Sequence, residues 1–170
     1  MKNRYSIAGL CLVALVAVGG VFGFAHKLSK SGSGRPDVKI VLSGSVARAG
    51  KNVPVAEAGP VESGEVIDWA IVSKNGGNAE AVSHEAVAQI PAGTSYVAGS
   101  AKSEVSASVE FSIDNGKHYA EKPTVSTKQA DGSMKDVPAP ASMYTQIRYK
   151  WNSPLPAAGD RKATYQVGVK

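Results

Sequence analysis

From Asp37 onward, apolar and polar residues alternate along the chain with a period of two. Val38, Ile40 and Leu42 share one parity, with Lys39 and Val41 between them. Ile67, Trp69 and Ile71 share another face, with Asp68 and Ala70 opposite. Val105, Ala107, Val109, Phe111 and Ile113 are separated by Ser106, Ser108, Glu110 and Ser112. Ile147, Tyr149 and Trp151 alternate with Arg148 and Lys150. Ala163, Tyr165, Val167 and Val169 alternate with Thr164, Gln166 and Gly168. Successive strand side chains point to opposite faces, so each segment predicts a strand with one buried and one wet face. Such strands build antiparallel sheets packed face to face rather than a buried parallel sheet. No stretch of the body keeps a helical period over three turns.

Turn chemistry separates these segments. Asn75-Gly76-Gly77-Asn78 closes the strand that carries Trp69. Asp114-Asn115-Gly116 stands between Phe111-Ser112-Ile113 and Lys117-His118-Tyr119. Asn-Gly accepts the positive φ angles of a type I′ turn, so a hairpin is expected there. Pro91-Ala92-Gly93 and Pro154 to Gly159 mark two further reversals. The pattern predicts an all-β, immunoglobulin-like antiparallel sandwich of about seven strands. The segment from Thr124 to Ser142 is the least regular and predicts a long loop or a loose hairpin. The last strand, Ala163 to Val169, ends beside the terminal Lys170 and is expected at a sheet edge.

The first residues read differently. Lys2 and Arg4 precede an uncharged run from Ile7 to Ala25, rich in Leu, Val, Ala and Gly. Gly23 and Ala25 form a small-x-small site ahead of His26, as a signal peptidase requires. The run is also close to the roughly 20 residues that span a bilayer as a helix. Residues 1–25 are therefore a signal peptide or an uncleaved signal anchor, with membrane contact through residues 7–25 in the second case. Basic residues ahead of the run keep that end in the cytoplasm. Either way the body is expected outside the cytoplasmic membrane, in the periplasm, at the cell surface or secreted. Residues 26–36, His-Lys-Leu-Ser-Lys-Ser-Gly-Ser-Gly-Arg-Pro, predict a flexible linker, and 37–170 the folded domain.

Composition narrows the function. The 18 Gly and 9 Pro fit many turns and short elements. The net charge of +5 is spread along the chain, with no basic run and no interleaved aromatics, so nucleic-acid binding is not expected. The one cysteine, Cys11, lies inside the apolar run, so the body has neither a disulfide nor a thiolate metal site.

Several residues in order carry a likeness to a known family. They are Gly64-Glu65-Val66-Ile67-Asp68-Trp69-Ala70-Ile71, then Asn75-Gly76-Gly77-Asn78-Ala79, then Ile90-Pro91-Ala92-Gly93-Thr94-Ser95-Tyr96-Val97, then Gly99-Ser100-Ala101. Phe111-Ser112-Ile113-Asp114-Asn115-Gly116-Lys117 and Ile147-Arg148-Tyr149-Lys150-Trp151 follow. Together they resemble the conserved-repeat domain of bacterial and archaeal surface proteins, a domain of unknown function. The resemblance covers about Val61 to Lys170 and implies an immunoglobulin-like sandwich in an extracytoplasmic protein. Relatives carry the domain in tandem arrays on large envelope proteins, whereas this chain holds one copy. The family motif contains no catalytic residues.

Candidate chemistry has simpler readings throughout. His26, His84 and His118 lack metal-ligand spacing and are expected at the surface. Ser83-His84-Glu85 has the residue types of a triad, but neighbours along a strand cannot bond one to the next. Asp114-Asn115-Gly116 begins like a calcium loop, but Val125 stands where the twelfth-position Glu belongs. Trp69 and Trp151 keep phase with apolar neighbours and are read as core rather than as a carbohydrate-binding surface. No catalytic, metal or cofactor residues are assigned, and no enzyme activity is expected. The expected role is a structural or interaction module of the cell envelope, with an envelope protein or polysaccharide as partner. The alternative is a surface-fibre subunit that self-associates by adding strands at a sheet edge.

Overall fold

The computed structural model describes residues 34–170. The two readings of residues 1–25, most of the linker, His26 and Cys11 lie outside the described residues. The strands are β1 (Val38–Arg48), β2 (Lys51–Pro54), β3 (Val66–Asn75), β4 (Glu85–Gln89), β5 (Thr94–Tyr96) and β6 (Lys102–Ser103). They continue as β7 (Ala107–Ser112), β8 (Thr124–Lys128), β9 (Met134–Pro138), β10 (Gln146–Trp151) and β11 (Asp160–Val169). A single 3₁₀ turn, Ala141–Met143, precedes β10.

Every pairing is antiparallel. One sheet runs β2-β1-β3-β11-β5, with β6 also on β11; the other runs β4-β10-β7. The two face each other as an immunoglobulin-like β-sandwich, and β8 and β9 form a separate hairpin. The predicted class holds. The strands outnumber the expected seven because β2, β6 and the β8–β9 pair are too short or too polar to show alternation.

The core lies where β3 and β11 face β10 and β4. Ile67 and Ile71, with Ala163, Tyr165 and Val167, form one wall; Ile147, Tyr149 and Trp151 form the other. Burying each large side chain contributes about 1.5–3 kcal/mol. Two tyrosines tie the layers together. Tyr149 Oη donates to the Thr164 carbonyl, and Tyr165 Oη donates to the Gln89 carbonyl, each at 2.7 Å. Burial pushes both phenols far above their ordinary pKa.

Local chemistry explains the main connections. Ala49 and Gly50 both have positive φ, 50° and 76°, which joins β1 to β2 as a tight hairpin. Gly44 lies opposite Trp69, whose ring would be 2.9 Å from an added Cβ; the glycine lets the indole cross β1. Asn75, buried at the end of β3, uses both ends of its amide. Its Oδ1 accepts from Asp37 N at 3.0 Å and Gly77 N at 3.1 Å, while Nδ2 donates to Ala79 O at 2.8 Å and Pro156 O at 3.0 Å.

Four expectations need revision. The last strand is not an edge: β11 is paired with β3 on one side and with β5 and β6 on the other. The end of the chain returns to the middle of the sheet because Tyr165 and Val167 carry the best buried face. The linker's last residues, 34–36, are held rather than loose. Arg35 N donates to Asn78 Oδ1 at 2.8 Å, and Arg35 O accepts from Asn78 N at 3.2 Å. The Asn115-Gly116 turn has the expected positive φ angles, 58° and 88°. Its flanks, however, pair only at Phe111 and Ala120. Ser112 Oγ captures Gly116 N at 2.8 Å and Asp114 Oδ1 captures His118 N at 3.0 Å, which diverts backbone groups from a ladder. His84, expected at the surface, is buried. Of the two forms expected for residues 124–142, the hairpin is the one present, as the β8–β9 ladder followed by the 3₁₀ turn.

Candidate functional site

The sequence candidates do not converge. His84 sits just before β4, with its ring stacked on Trp151 at 4.8 Å and an interplanar angle of 4°. Arg161 reaches the same indole from β11, 5.5 Å from the ring centre, and donates to Ser153 O and Pro154 O, both at 2.8 Å. Burial, and then the Arg161 charge, hold the His84 pKa below its usual value. Its Nε2 has no hydrogen-bond partner. Ser83, with φ of 54°, turns the chain into this position, and Glu85 is exposed on the next residue. Ser83, His84 and Glu85 thus make a packing corner, with the imidazole aimed at Trp151.

Asp114 is spent on its own loop. Its Oδ1 accepts from Ser112 Oγ at 2.8 Å and its Oδ2 contacts His118 Nδ1 at 2.6 Å. The His118 backbone N–H, the His118 ring and the Ser112 hydroxyl hold this carboxyl well below the usual carboxylate range. Val125 lies in β8, paired with Val137. Among the described residues, no group of three or more His, Cys, Asp or Glu side chains converges on one point. Trp151 is core, as expected, and Trp69 is half-buried at the margin of that core, its ring 6.5 Å from that of Tyr165.

Two surface features remain. The first is a groove of about 510 Å³ on the β5–β7 side, floored by Tyr96, Phe111 and Tyr144. The three rings pack together with centroids 4.5–5.9 Å apart, Tyr144 stacked on the other two, so the floor is the side of the core. Alanine and glycine make up most of the walls, and no charged group enters it.

The second is the outer margin of β1. The β2 strand covers β1 only from Ser45 onward, with Val55 N bonded to Gly44 O at 2.9 Å. On the other side, Asp37 O accepts from Gly76 N at 2.8 Å, so odd-numbered residues direct their backbone toward β3. Alternation then points the N–H and C=O of Val38, Ile40 and Leu42 away from the sheet. Their side chains lie on the inner face, in phase with the buried Val46, yet Ile40 and Leu42 are 43% and 42% exposed. The facing sheet has three strands and ends at β4, which packs over β3, so among the described residues it does not reach Ile40 and Leu42. On the outer face Val41 is 59% exposed. Pro36 bounds this open stretch at one end and β2 bounds it at the other.

Natural sheet edges are guarded by charge, proline, bulges or short length. Over Val38–Leu42 the only charged side chain is Lys39. The edge of the facing sheet is better protected. There Glu85 and Gln89 flank Val87, and the outward Gln89 carbonyl is capped by Tyr165. Sequence reading placed the edge at the wrong strand. The available signal was the doubly apolar Val38-Lys39-Ile40-Val41-Leu42 run just after a proline.

Comparison of the chain with family sequence models, with curated proteins and with solved structures finds no match. Among the described residues no helix is long and apolar enough to cross a membrane.

Proposed function

We propose that this chain is an exported, non-enzymatic interaction module of the cell envelope. It works by surface contact with another envelope protein or polysaccharide. The observation that carries the reading is the uncovered margin of β1, an edge with free backbone groups and exposed apolar side chains on both faces. Such an edge recognises an extended strand through main-chain hydrogen bonds. The leading apolar segment supports placement outside the cytoplasm, and the likeness to the conserved-repeat domain of surface proteins agrees with it. The same margin favours, as a second reading, a surface-fibre subunit assembling by strand addition.

Crosslinking in intact cells tests the first reading. A photoreactive residue at Val41 should capture a specific envelope component, and one at Glu121, far along the chain in an exposed loop, should not. Equal capture at both positions would sink the idea. Mass spectrometry of the mature N-terminus separates a cleaved leader from an anchor. Negative-stain imaging of the purified full chain separates fibres from discrete particles.

A further inference from the structure

We infer that the margin of β1 pairs with the same margin of a second copy, antiparallel about a two-fold axis through Val38. This rests on the reading of that margin as the interaction surface and names its occupant as a second copy of this chain rather than a different envelope component. A two-fold contact uses the same patch on both partners and closes at two, so it also opposes open fibres.

The register follows from sterics and charge. A two-fold axis between antiparallel strands sets one residue opposite its own copy. At Asp37 or Lys39 that opposes like charges, and at Val41 it puts the partner's Val38 opposite Gly44, which leaves Val38, Ile40 and Leu42, whose N–H and C=O point outward. An axis at Ile40 would place the partner's Pro36 opposite Gly44, and an axis at Leu42 would place the partner's Ile40 there. Val55 already occupies that slot through its bond to the Gly44 carbonyl. An axis at Val38 avoids this clash for every described residue. It sets Ile40 opposite the partner's Pro36 and Leu42 opposite the partner's Gly34.

On the outer face the same register sets Lys39 of each copy opposite Asp37 of the other. Both side chains are exposed and neither is in an ion pair among the described residues. Opposite charges placed directly across two strands stabilise the pairing, and like charges oppose it. Pro36 fits because its missing N–H faces the new partner only, and its carbonyl can accept from Ile40 N–H. Its neighbour Arg35 keeps both backbone bonds to Asn78. The inner-face side chains of Val38, Ile40 and Leu42 then lie along a continuous apolar seam.

Cysteine scanning on the full chain tests this, in a Cys11→Ser background that removes the only native thiol. Residues paired across the axis have Cα atoms about 5.5 Å apart, within disulfide range. Val38→Cys should therefore oxidise to a covalent dimer. Ile40→Cys and Leu42→Cys sit several residues from their counterparts and should crosslink roughly tenfold less. Lys39→Asp should weaken the dimer by roughly tenfold in sedimentation equilibrium, and Asp37→Lys combined with Lys39→Asp should restore it. A monomeric parent chain, equal crosslinking at positions 38, 40 and 42, or no recovery in the double variant would each overturn the pairing. Crosslinks of Val38→Cys to a different protein in place of a dimer would do the same.

Discussion

Strands β1 and β3 are neighbours with nearly the same sequence pattern and opposite fates. Val38, Ile40 and Leu42 alternate as cleanly as Ile67, Trp69 and Ile71, and Leu42 is the direct cross-strand partner of Ile71. Yet Ile71 is 1% exposed and Leu42 is 42% exposed. The difference lies in the opposite layer. The sheet β4-β10-β7 is narrower than the one it faces, and its margin falls over β3. Alternation says which side of a strand is apolar; the width of the facing sheet decides whether that side is buried.

The largest expected effect tests this contrast directly. Ile71→Ala should cost about 2–5 kcal/mol in denaturant unfolding, because it empties a filled core site. Leu42→Ala, measured on dilute protein, should cost under about 1 kcal/mol. Equal losses would mean that something covers β1. Next comes the hook that holds the start of β1. A Cβ at Gly77 would lie 2.1 Å from the Arg35 carbonyl and 2.5 Å from Asp37 N. Gly77→Ala should cost about 1–3 kcal/mol. Hydrogen exchange should then show the Asp37 amide losing protection while amides in the centre of β3 keep theirs.

Tyr165→Phe removes the hydroxyl that caps Gln89 and should cost about 1 kcal/mol. Thermal unfolding would read it, and a neutral result would show that the outward Gln89 carbonyl is satisfied without the hydroxyl. The smallest effect is the dependence on pH. His84 has a folded pKa below the 6.5 of a free imidazole, so the folded state disfavours its proton. Its contribution is complete above about pH 7.5 and is lost as pH falls through about 6.5 toward the folded pKa. His84→Phe keeps a ring on Trp151 and should flatten the stability profile between about pH 7 and 5. An unchanged slope would assign the acid sensitivity to other groups.

Much of the fold is legible in the residues. The five alternating segments all contain strands, Asn75 to Asn78 ends β3, and Asn115-Gly116 takes the backbone angles its composition demands. Short strands were not legible. Lys102–Ser103 pairs with Ala163 and Thr164 through backbone groups alone, and two residues carry no period. His84 was misjudged because a polar residue near a turn usually meets solvent. Here the ring stacks flat on Trp151, an indole that the Arg161 guanidinium also approaches, and is buried. The site was misplaced for a related reason. Ending at the terminus suggested that Ala163–Val169 lay at an edge, but order along the chain does not set order across a sheet.

The sequence by itself determined the class of the protein and which parity of each strand is apolar. Side-chain direction in a strand is local, so period and turn residues suffice for both. Tertiary structure decided the order of strands and the width of each layer. Those depend on contacts between residues far apart in the chain, which no local pattern encodes. Through them it decided that β11 lies inside the sheet, that His84 is buried, and that the facing sheet stops short of Ile40 and Leu42.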